Sequence, residues 1–167
     1  MRPAAYATVA TPIGPFTTVV DHDHDDAVLA AGWTADLGHL LPVIHPALRP
    51  VEVRPRRELG AVTDAVIAYH RGETSAIDTI RVRQRSGEFI EHAWRILRAV
   101  PAGAPVTYRE FAARAGRPAA VRAAANACGR NAAALFVPCH RVVRVGGGLG
   151  GFRWGVDVKD WLLAHER

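Results

Sequence analysis

The feature that most constrains this chain is a short segment near its C-terminal end. Pro138-Cys139-His140-Arg141 stands between the apolar pairs Phe136-Val137 and Val142-Val143, and the glycine-rich run 146–151 follows. A short apolar run bounded by turn residues predicts a buried strand or strand end. The fold must therefore place one thiol in its interior, with an imidazole and a guanidinium as its neighbours in the chain.

Cys139 is the first candidate for chemistry. A thiol is a good nucleophile only as thiolate, and positive or hydrogen-bond-donating neighbours lower its pKa from about 8.5 toward neutrality. The alternative is a buried structural cysteine beside a chance histidine, since free cysteine is among the most buried residue types. The Cys139-His140 pair alone does not distinguish a reactive thiol from a structural one, because sequence neighbours need not face each other.

Composition agrees with these interpretations without deciding between them. With 167 residues, of which 49% are apolar, the chain can form one large domain or two small ones. The net charge of +5 suits a polyanionic partner, and equally an ordinary soluble surface. Cys128 and Cys139 lack zinc-ligand spacing and favour a reducing cytosol. The apolar run 27–33 is too short to span a membrane, so we expect a soluble, cytoplasmic protein.

The N-terminal half predicts a small α/β domain, which we place at residues 1–83. Three runs predict strands, namely 5–10, 16–20 and 27–34. Residues 38–56 contain four prolines and predict a long irregular connection. Apolar spacing from Glu58 to His70 predicts a helix that ends near Gly72.

The tract from Asp21 to Asp26 alternates acidic residues with His22 and His24. Alternating carboxylates and imidazoles can ligate divalent metal ions. A polar turn between two strands is the other interpretation. It is favoured because hairpin tips need polar residues and no cysteine ligand joins the tract. We assign the tract no function and predict no metal site.

The C-terminal half, residues 84–167, predicts a helical domain. Ser86 is the candidate N-cap of a first helix. Thr107 and Glu110 form a capping box that starts a second helix, and Pro118 suits the first turn of a third. The second and third helices, separated by a glycine turn, predict a helix-turn-helix, a pattern that many helical hairpins share.

The predicted third helix combines small residues with two long polar ones. Its small face consists of Ala119, Ala120, Ala123, Ala124 and Ala127. Arg122 and Asn126 are the longer side chains, too few to read a base sequence in the major groove. The helix suits either close approach to another surface or ordinary alanine-rich packing within the protein.

Together these residues resemble the methylated-DNA–protein-cysteine methyltransferases, which remove alkyl groups from O6 of guanine. The features that match in order and spacing are Thr107-Tyr108, Arg122, Asn131, Pro138-Cys139-His140-Arg141, Lys159, Leu162-Leu163 and Glu166. The resemblance spans about residues 86–166. It is weaker in the N-terminal half, where Thr11-Pro12-Ile13-Gly14 carries most of it.

The resemblance implies a ribonuclease-H-like α/β domain followed by a winged-helix-like helical domain with the helix-turn-helix. It implies direct DNA repair, in which Cys139 irreversibly takes the alkyl group from O6-alkylguanine in duplex DNA after base flipping, once per molecule. No cofactor is implied, and we expect a monomer that joins the nucleoid when it binds DNA. A non-catalytic protein that binds alkylated bases and a Cys-His hydrolase are the two alternatives.

For the transfer itself, the resemblance implies a relay around the thiol. His140 acts as base through a water, and Glu166 orients and charges the imidazole. Asn131 holds the turn that presents Cys139, and Lys159 completes the catalytic set. In the alternative interpretation Glu166 is a solvated helix end and Asn131 a C-terminal helix cap.

For DNA, the resemblance implies that the third helix lies in the minor groove. Arg122 would enter the base stack where the damaged nucleotide leaves, with Ala123 and Asn126 beside it. Tyr108 would crowd the phosphate of the flipped nucleotide and offer its hydroxyl to the leaving guanine. The alternative for Tyr108 is an aromatic ring that packs on the core.

By the same resemblance, Phe152, Arg153 and Trp154 line the substrate pocket with Tyr108. Phe152 stands where many relatives have tyrosine, Ala132 replaces a usual proline, and Trp154 replaces a frequent glycine. We expect the pocket to lose one hydroxyl, the turn at Ala132 to be looser, and Trp154 to hinder a benzyl substituent.

Overall fold

A computed structural model describes residues 3–167, which form two compact units. The first unit consists of the described residues up to Arg85 together with Ala132–Phe136, and the second of Ser86–Asn131 and Val137–Arg167. A sheet-based unit is followed by a mainly helical one, so the mixed α/β fold class is confirmed. The two independent domains expected on either side of residues 83 and 84 stay a prediction.

The first unit is built on a four-stranded sheet. Its strands are β1 (Ala4–Thr11), β2 (Gly14–Asp21), β3 (Ala27–Gly32) and β4 (Val53–Pro55). The order across the sheet is β3-β2-β1-β4, in which β1, β2 and β3 are antiparallel and β4 is parallel to β1. The three predicted strands are confirmed, and their ends differ from the prediction by two residues or fewer.

The strand β4 lies within the region predicted to be irregular. Residues 38–56 do contain the short 3-10 turn Leu41–Val43, but three residues near their end pair with β1. β4 lies at the edge of the sheet and contains Pro55. A three-residue edge strand with a proline shows no alternation of apolar and polar residues, so the sequence pattern cannot detect it.

One helix, α1 (Ala61–His70), packs on β1 and confirms the helix predicted from Glu58. It begins later than predicted because Gly60, with φ +58, is not helical. Phe16, Val66 and Tyr69 are fully buried in this unit. Phe136 joins them, with its ring centroid 6.3 Å from that of Phe16.

The tract from Asp21 to Asp26 forms a polar turn, which is the interpretation that the sequence favours. His22–His24 is a 3-10 turn whose N-cap, Asp21, accepts the Asp23 N–H at 3.1 Å. The Asp21 carboxylate also accepts from Arg83 Nη1 at 2.9 Å. The carboxylate is therefore occupied in holding the turn and a neighbouring arginine.

The second unit is mainly helical. Its helices are α2 (Glu88–Arg98), α3 (Tyr108–Arg114), α4 (Val121–Arg130) and α5 (Val156–His165). Two short parallel strands, β5 (Val106–Thr107) and β6 (Val142–Val143), pair with each other. Leu97, Phe111, Ala124, Ala127 and Leu162 are fully buried in this unit. No helix formed by residues 3–167 has the length and apolar character that a membrane span requires.

Of the predicted caps, one is confirmed and two are wrong. The capping box at α3 is present: Thr107 Oγ1 accepts the Glu110 N–H at 3.1 Å. Ser86 does not cap α2, which follows Gly87 without a side-chain cap. Pro118 is not in the first turn of α4, because residues 117–120 form a turn closed by the Ala120 N–H to Arg117 O bond.

Candidate active site

The segment around Cys139 is predicted to be a buried strand or strand end; Cys139 is buried but opens a single 3-10 turn, Cys139–Arg141, directly before a strand. The strand is confined to β6, which follows directly. The Cys139 N–H donates to Val137 O at 2.8 Å and the Arg141 N–H to Pro138 O at 3.0 Å. Pro138 has no N–H for a sheet ladder, which favours the turn. Cys139 is only 9% exposed there.

Asn131 connects the end of α4 to the thiol. Its backbone N–H donates to Cys128 O at 3.3 Å, in the C-cap position of α4. Its side-chain Nδ2 donates to Val137 O at 2.8 Å and to Cys139 Sγ at 3.4 Å. Asn131 therefore combines the helix-cap position with contact to the turn that presents Cys139.

Polar and charged groups around Cys139 counteract the effect of burial on its pKa. Burial raises the pKa of the thiol, whereas the Asn131 hydrogen bond and the positive charges of Lys159 and Arg153 lower it. Lys159 extends from α5, is fully buried and donates to Val142 O at 2.8 Å. A thiol in this position needs a base to take its proton, and it has positive groups that stabilise the thiolate.

His140 is fully buried, and its two ring nitrogens have different surroundings. Nε2 donates to Glu166 Oε2 at 2.9 Å. Nδ1 has no hydrogen-bond partner among residues 3–167. Burial lowers the pKa of His140, against the raising effect of the Glu166 hydrogen bond. A neutral ring with its proton on Nε2 has its lone pair on Nδ1, which makes Nδ1 the basic atom.

Glu166 is not a solvated helix end, because only 1% of its side chain is exposed. Arg141 Nε donates to Oε1 at 3.0 Å and Nη2 to Oε2 at 2.8 Å, while Nη1 donates to Val100 O at 2.8 Å. Burial alone would raise the pKa of Glu166, but the hydrogen bonds of His140 and Arg141 lower it to about 2. The carboxylate is therefore ionised when it holds His140.

From the sequence, Arg141 is expected only as a positively charged neighbour of Cys139, whereas its guanidinium binds Glu166. A buried guanidinium requires an anionic or carbonyl partner. The signal was available, since Arg141 stands in the apolar segment that predicts burial. Its partner Glu166 lies 25 residues along the chain, and no local pattern connects the two.

Tyr108 is the first residue of α3 and lies near Lys159, whose Nζ is 5.9 Å from the ring centroid. Gly150, with φ +79, faces the same ring, and a Cβ there would come within 3.1 Å of the Tyr108 hydroxyl. Burial raises the pKa of Tyr108 to about 12. The hydroxyl therefore stays protonated at neutral pH and is able to donate a hydrogen bond.

The three predicted pocket residues lie between β6 and α5. Arg153 is tied to the end of α4, since it donates to Gly129 O at 2.6 Å and to Asn131 O at 3.2 Å. Phe152 and Trp154 are half-buried. The proposed conflict between Trp154 and a benzyl group stays a prediction.

Ala132, where relatives usually have proline, uses the N–H that a proline would lack. It donates to Gln84 Oε1 at 2.8 Å, and both residues belong to the first unit. The Ala132 carbonyl in turn accepts the Ala31 N–H at 2.9 Å. These two bonds hold Ala132 in place without the proline ring.

Cys128, on α4, is a second thiol that the sequence reasoning left without a role. Burial raises its pKa, the charge of Cys139 raises it further, and Lys159 lowers it. Its interaction with Cys139 places it in the neighbourhood of the candidate nucleophile. The only signal in the sequence was its position near the C-terminal end of the helix that leads to Asn131.

The predicted alanine face of the third helix divides into two. Ala124 and Ala127 are buried within the second unit, where Trp94 Nε1 donates to Ala127 O at 2.8 Å. Ala119 and Ala120 precede α4, so they are not on it. Arg122 and Asn126 are exposed, one turn apart, and Ala123 is half-buried. Internal packing thus uses one alanine stripe, and the polar stripe faces solvent.

Comparisons with known proteins agree on one family. The profile described as 6-O-methylguanine DNA methyltransferase, DNA binding domain, matches residues 88–167. The methylated-DNA–protein-cysteine methyltransferase of Salmonella typhimurium is 35% identical over 158 residues, 95% of this chain and 92% of that protein. The protein of that name from Mycolicibacterium paratuberculosis is 35% identical over 173 residues, 97% of this chain and 92% of its own length.

A solved structure agrees with the sequence relatives. The crystal structure of Mycobacterium tuberculosis OGT in complex with DNA superposes with a TM-score of 0.79 at 28% identity, covering 97% of this chain and 92% of that one. The shared residues thus extend through both compact units. The chain belongs to the family of methylated-DNA–protein-cysteine methyltransferases.

Proposed function

We propose that this protein repairs O6-alkylguanine in duplex DNA by transferring the alkyl group to Cys139. Relatives named methylated-DNA–protein-cysteine methyltransferases support the reaction, and the OGT–DNA complex supports the partner. One observation carries the assignment: a buried thiol precedes a buried imidazole whose Nδ1 has no partner among residues 3–167 and whose Nε2 binds an ionised carboxylate. This arrangement suits a single proton transfer away from sulfur.

The first step is activation of the thiol. His140 Nδ1 takes the proton of Cys139 through a bridging water, because neighbouring side chains on a 3-10 turn point in different directions. Glu166 accepts a hydrogen bond from the Nε2–H group and stabilises the imidazolium that forms. The Asn131 amide and the Lys159 ammonium stabilise the thiolate.

The second step moves the alkyl group. Cys139 Sγ attacks the alkyl carbon in line with the O6–carbon bond, an S–C bond forms, and the bonding electron pair stays with guanine O6. Tyr108, which is protonated, donates to a ring nitrogen as negative charge develops on the leaving guanine. The guanine anion takes up one proton and His140 gives up the proton that it took from Cys139, so the products are guanine and S-alkylcysteine. Since a thioether is a poor leaving group, each molecule acts once.

The DNA interface is the exposed stripe of α4. Arg122 and Asn126 face solvent, and Arg122 would fill the stack after the alkylated nucleotide leaves it. Half-buried Ala123 between them permits close approach to the groove. Phosphate and stacking contacts carry little sequence information, which suits search for a lesion at any sequence. We propose that α3 and α4 act here as the helix-turn-helix.

The pocket for the flipped base is formed by Tyr108, Phe152, Arg153 and Trp154. Arg153 reaches the carbonyls at the end of α4 and thereby links the pocket segment to the helix that binds DNA. We further propose that the protein is monomeric and acts in the cytoplasm, on nucleoid DNA. No cofactor takes part in either step.

Intact-mass spectrometry after incubation with an O6-methylguanine duplex tests the proposal. One methyl group per chain, mapped to Cys139, is expected, and the reaction then stops. Cys139→Ser should bind the duplex without gaining mass, and Cys128→Ser is the matched thiol control that should react as the wild type does. Binding without any mass gain would indicate a non-catalytic lesion-binding protein, and repeated turnover would indicate a hydrolase.

Arg122→Ala separates DNA flipping from thiol chemistry. Repair of the duplex should fall, while reaction of Cys139 with the free base O6-methylguanine should stay at the wild-type rate, because only the duplex requires the stack to be filled. Affinity of the wild-type protein for the duplex should fall as the salt concentration rises, because phosphate contacts contribute to binding. The control is Arg71→Ala, an exposed arginine of the first unit. Equal losses with duplex and free base would make Arg122 structural.

A further inference from the structure

The turn between α2 and β5 lies against the Glu166 main chain. The Ala104 N–H donates to Pro101 O at 3.3 Å, which closes a β-turn over residues 101–104. Gly103, the third residue of this turn, has φ +81, the positive value that a type II turn requires there and that glycine adopts without strain. A Cβ built on Gly103 would stand 2.8 Å from the Glu166 carbonyl oxygen, closer than real Cβ contacts allow.

The contact with Glu166 involves backbone on both sides, so neither partner can move away as a flexible side chain would. The same connection also holds the other side of the ion pair, because Val100, just before the turn, accepts Arg141 Nη1 at 2.8 Å. One connection thus lies against the Glu166 main chain and also accepts a hydrogen bond from Arg141.

We propose that Gly103 is a positioning residue for the thiol relay, because its missing Cβ lets the turn seat the Glu166 main chain where the carboxylate reaches both Arg141 and His140. The inference rests on the proposed proton relay and adds a residue to it. Gly103 acts through Glu166 and touches neither the thiol nor the substrate.

The contact to His140 is the one that a displaced Glu166 would lose first. Arg141 donates three hydrogen bonds to the Glu166 carboxylate, at 3.0, 3.2 and 2.8 Å. His140 makes one, at 2.9 Å. Because the hydrogen bond of Glu166 raises the pKa of His140, its loss weakens the base. Ionisation of Cys139 would then require a higher pH.

The chain offers a matched control. Gly116, in the same unit, has φ +89, and a Cβ there would meet nothing within 4 Å. Gly116→Ala therefore reproduces the backbone strain of Gly103→Ala without the contact to Glu166. Both variants should lose thermal stability, and only Gly103→Ala should alter the thiol.

The readout is the pH–rate profile for alkylation of Cys139 by iodoacetamide, measured in a Cys128→Ser background so that one thiol reports. Gly103→Ala should raise the apparent pKa of Cys139 and slow alkylation at neutral pH about tenfold. Gly116→Ala should stay within about twofold of the parent protein. Identical profiles for the two alanine variants would overturn the inference.

A double-mutant cycle tests whether Gly103 acts through Glu166. In the Glu166→Gln background, Gly103→Ala should change the rate by less than about twofold, because the charge that it positions is already gone. If the rate reductions of Gly103→Ala and Glu166→Gln multiplied in the double variant, the inference would be wrong. If Gly103→Ala does not accumulate as folded protein, Gly103→Asn and Gly116→Asn replace the pair, since asparagine tolerates positive φ better and carries the same Cβ.

Failure of this inference and failure of the proposed function give different results. Iodoacetamide reports on the thiol without DNA or alkylguanine. If wild-type protein gained no methyl group from the duplex, the proposed function would be wrong whatever the Gly103 profile showed. If methyl transfer occurred and the two glycine variants behaved alike, only the role of Gly103 would be wrong.

Discussion

His70 in the first unit and His140 in the second are both buried imidazoles, with 8% and 0% of their surface exposed. His70 Nε2 accepts the Trp33 Nε1 proton at 3.3 Å, and its Nδ1 donates to Val66 O at 2.7 Å. His140 has one nitrogen on the Glu166 carboxylate, and its Nδ1 has no partner among residues 3–167. The two rings share burial and differ in what surrounds their nitrogens.

The difference separates a packing histidine from a reactive one. The His70 ring is enclosed by the aromatic rings of Phe16, Trp33 and Tyr69, and neutral groups occupy both its nitrogens. Burying an imidazole lone pair without a partner is costly in free energy, and native proteins rarely do so without a functional reason. In the proposed relay, the partner of His140 Nδ1 is the water that carries the proton from Cys139. Burial by itself therefore says little about a histidine, and the partners of its two nitrogens say more.

Exchanging each histidine for glutamine should give opposite results. His140→Gln removes the base and should slow methyl transfer about a thousandfold. His70→Gln disturbs a satisfied buried group and should lower the free energy of unfolding by about 1–3 kcal/mol while transfer stays within a few-fold. Single-turnover kinetics and urea unfolding of both variants measure this. A slow His70 variant with normal stability would break the comparison.

The free energy of unfolding should decrease in acid because His140 and Glu166 of the second unit become protonated. In the folded state the pKa of His140 lies below its ordinary value of 6.5. The free energy of unfolding is therefore at its full value above pH 6.5 and decreases as the pH falls below it. The pKa of Glu166 is lowered from 4.5 to about 2, so its contribution is lost between these values. That contribution is on the order of 3 kcal/mol.

Urea unfolding as a function of pH measures this loss. Glu166→Gln should flatten the profile between pH 4.5 and about 2, since the titrating carboxylate is absent. His140→Gln should flatten it just below pH 6.5 instead. Unchanged slopes in both variants would mean that other groups govern the acid response.

The smallest effect is expected for Glu166→Gln on the reaction itself. The amide oxygen can still accept a hydrogen bond from His140 Nε2–H. Because it carries no charge, the imidazole becomes a weaker base. Methyl transfer should slow about tenfold, and the apparent pKa of Cys139 in the pH–rate profile should rise. Duplex affinity should not change. A profile that does not move would make Glu166 a structural partner of Arg141, in the way that Val66 is of His70.

Local patterns predicted much of the fold and of the site. Short strand-like runs located β1, β2 and β3, and the Thr107–Glu110 pair located the start of α3. Resemblance over the Cys139 segment named the nucleophile and its neighbours. The short edge strand β4 and the true starts of α2 and α4 were missed, because these depend on pairing and turn geometry rather than on periodicity.

By itself the sequence determined which residues carry chemistry, because thiol, imidazole and carboxylate are properties of the side chains and their spacing matches a family. Only the tertiary structure decided which nitrogen of His140 is basic, that Arg141 shares Glu166 with it, and that Gly103 faces the Glu166 carbonyl. These relations join residues 25 or more positions apart, as the 25-residue and 26-residue separations from Glu166 to Arg141 and His140 show. Hydrogen bonds and steric exclusion act through space, and distance along the chain does not reveal them.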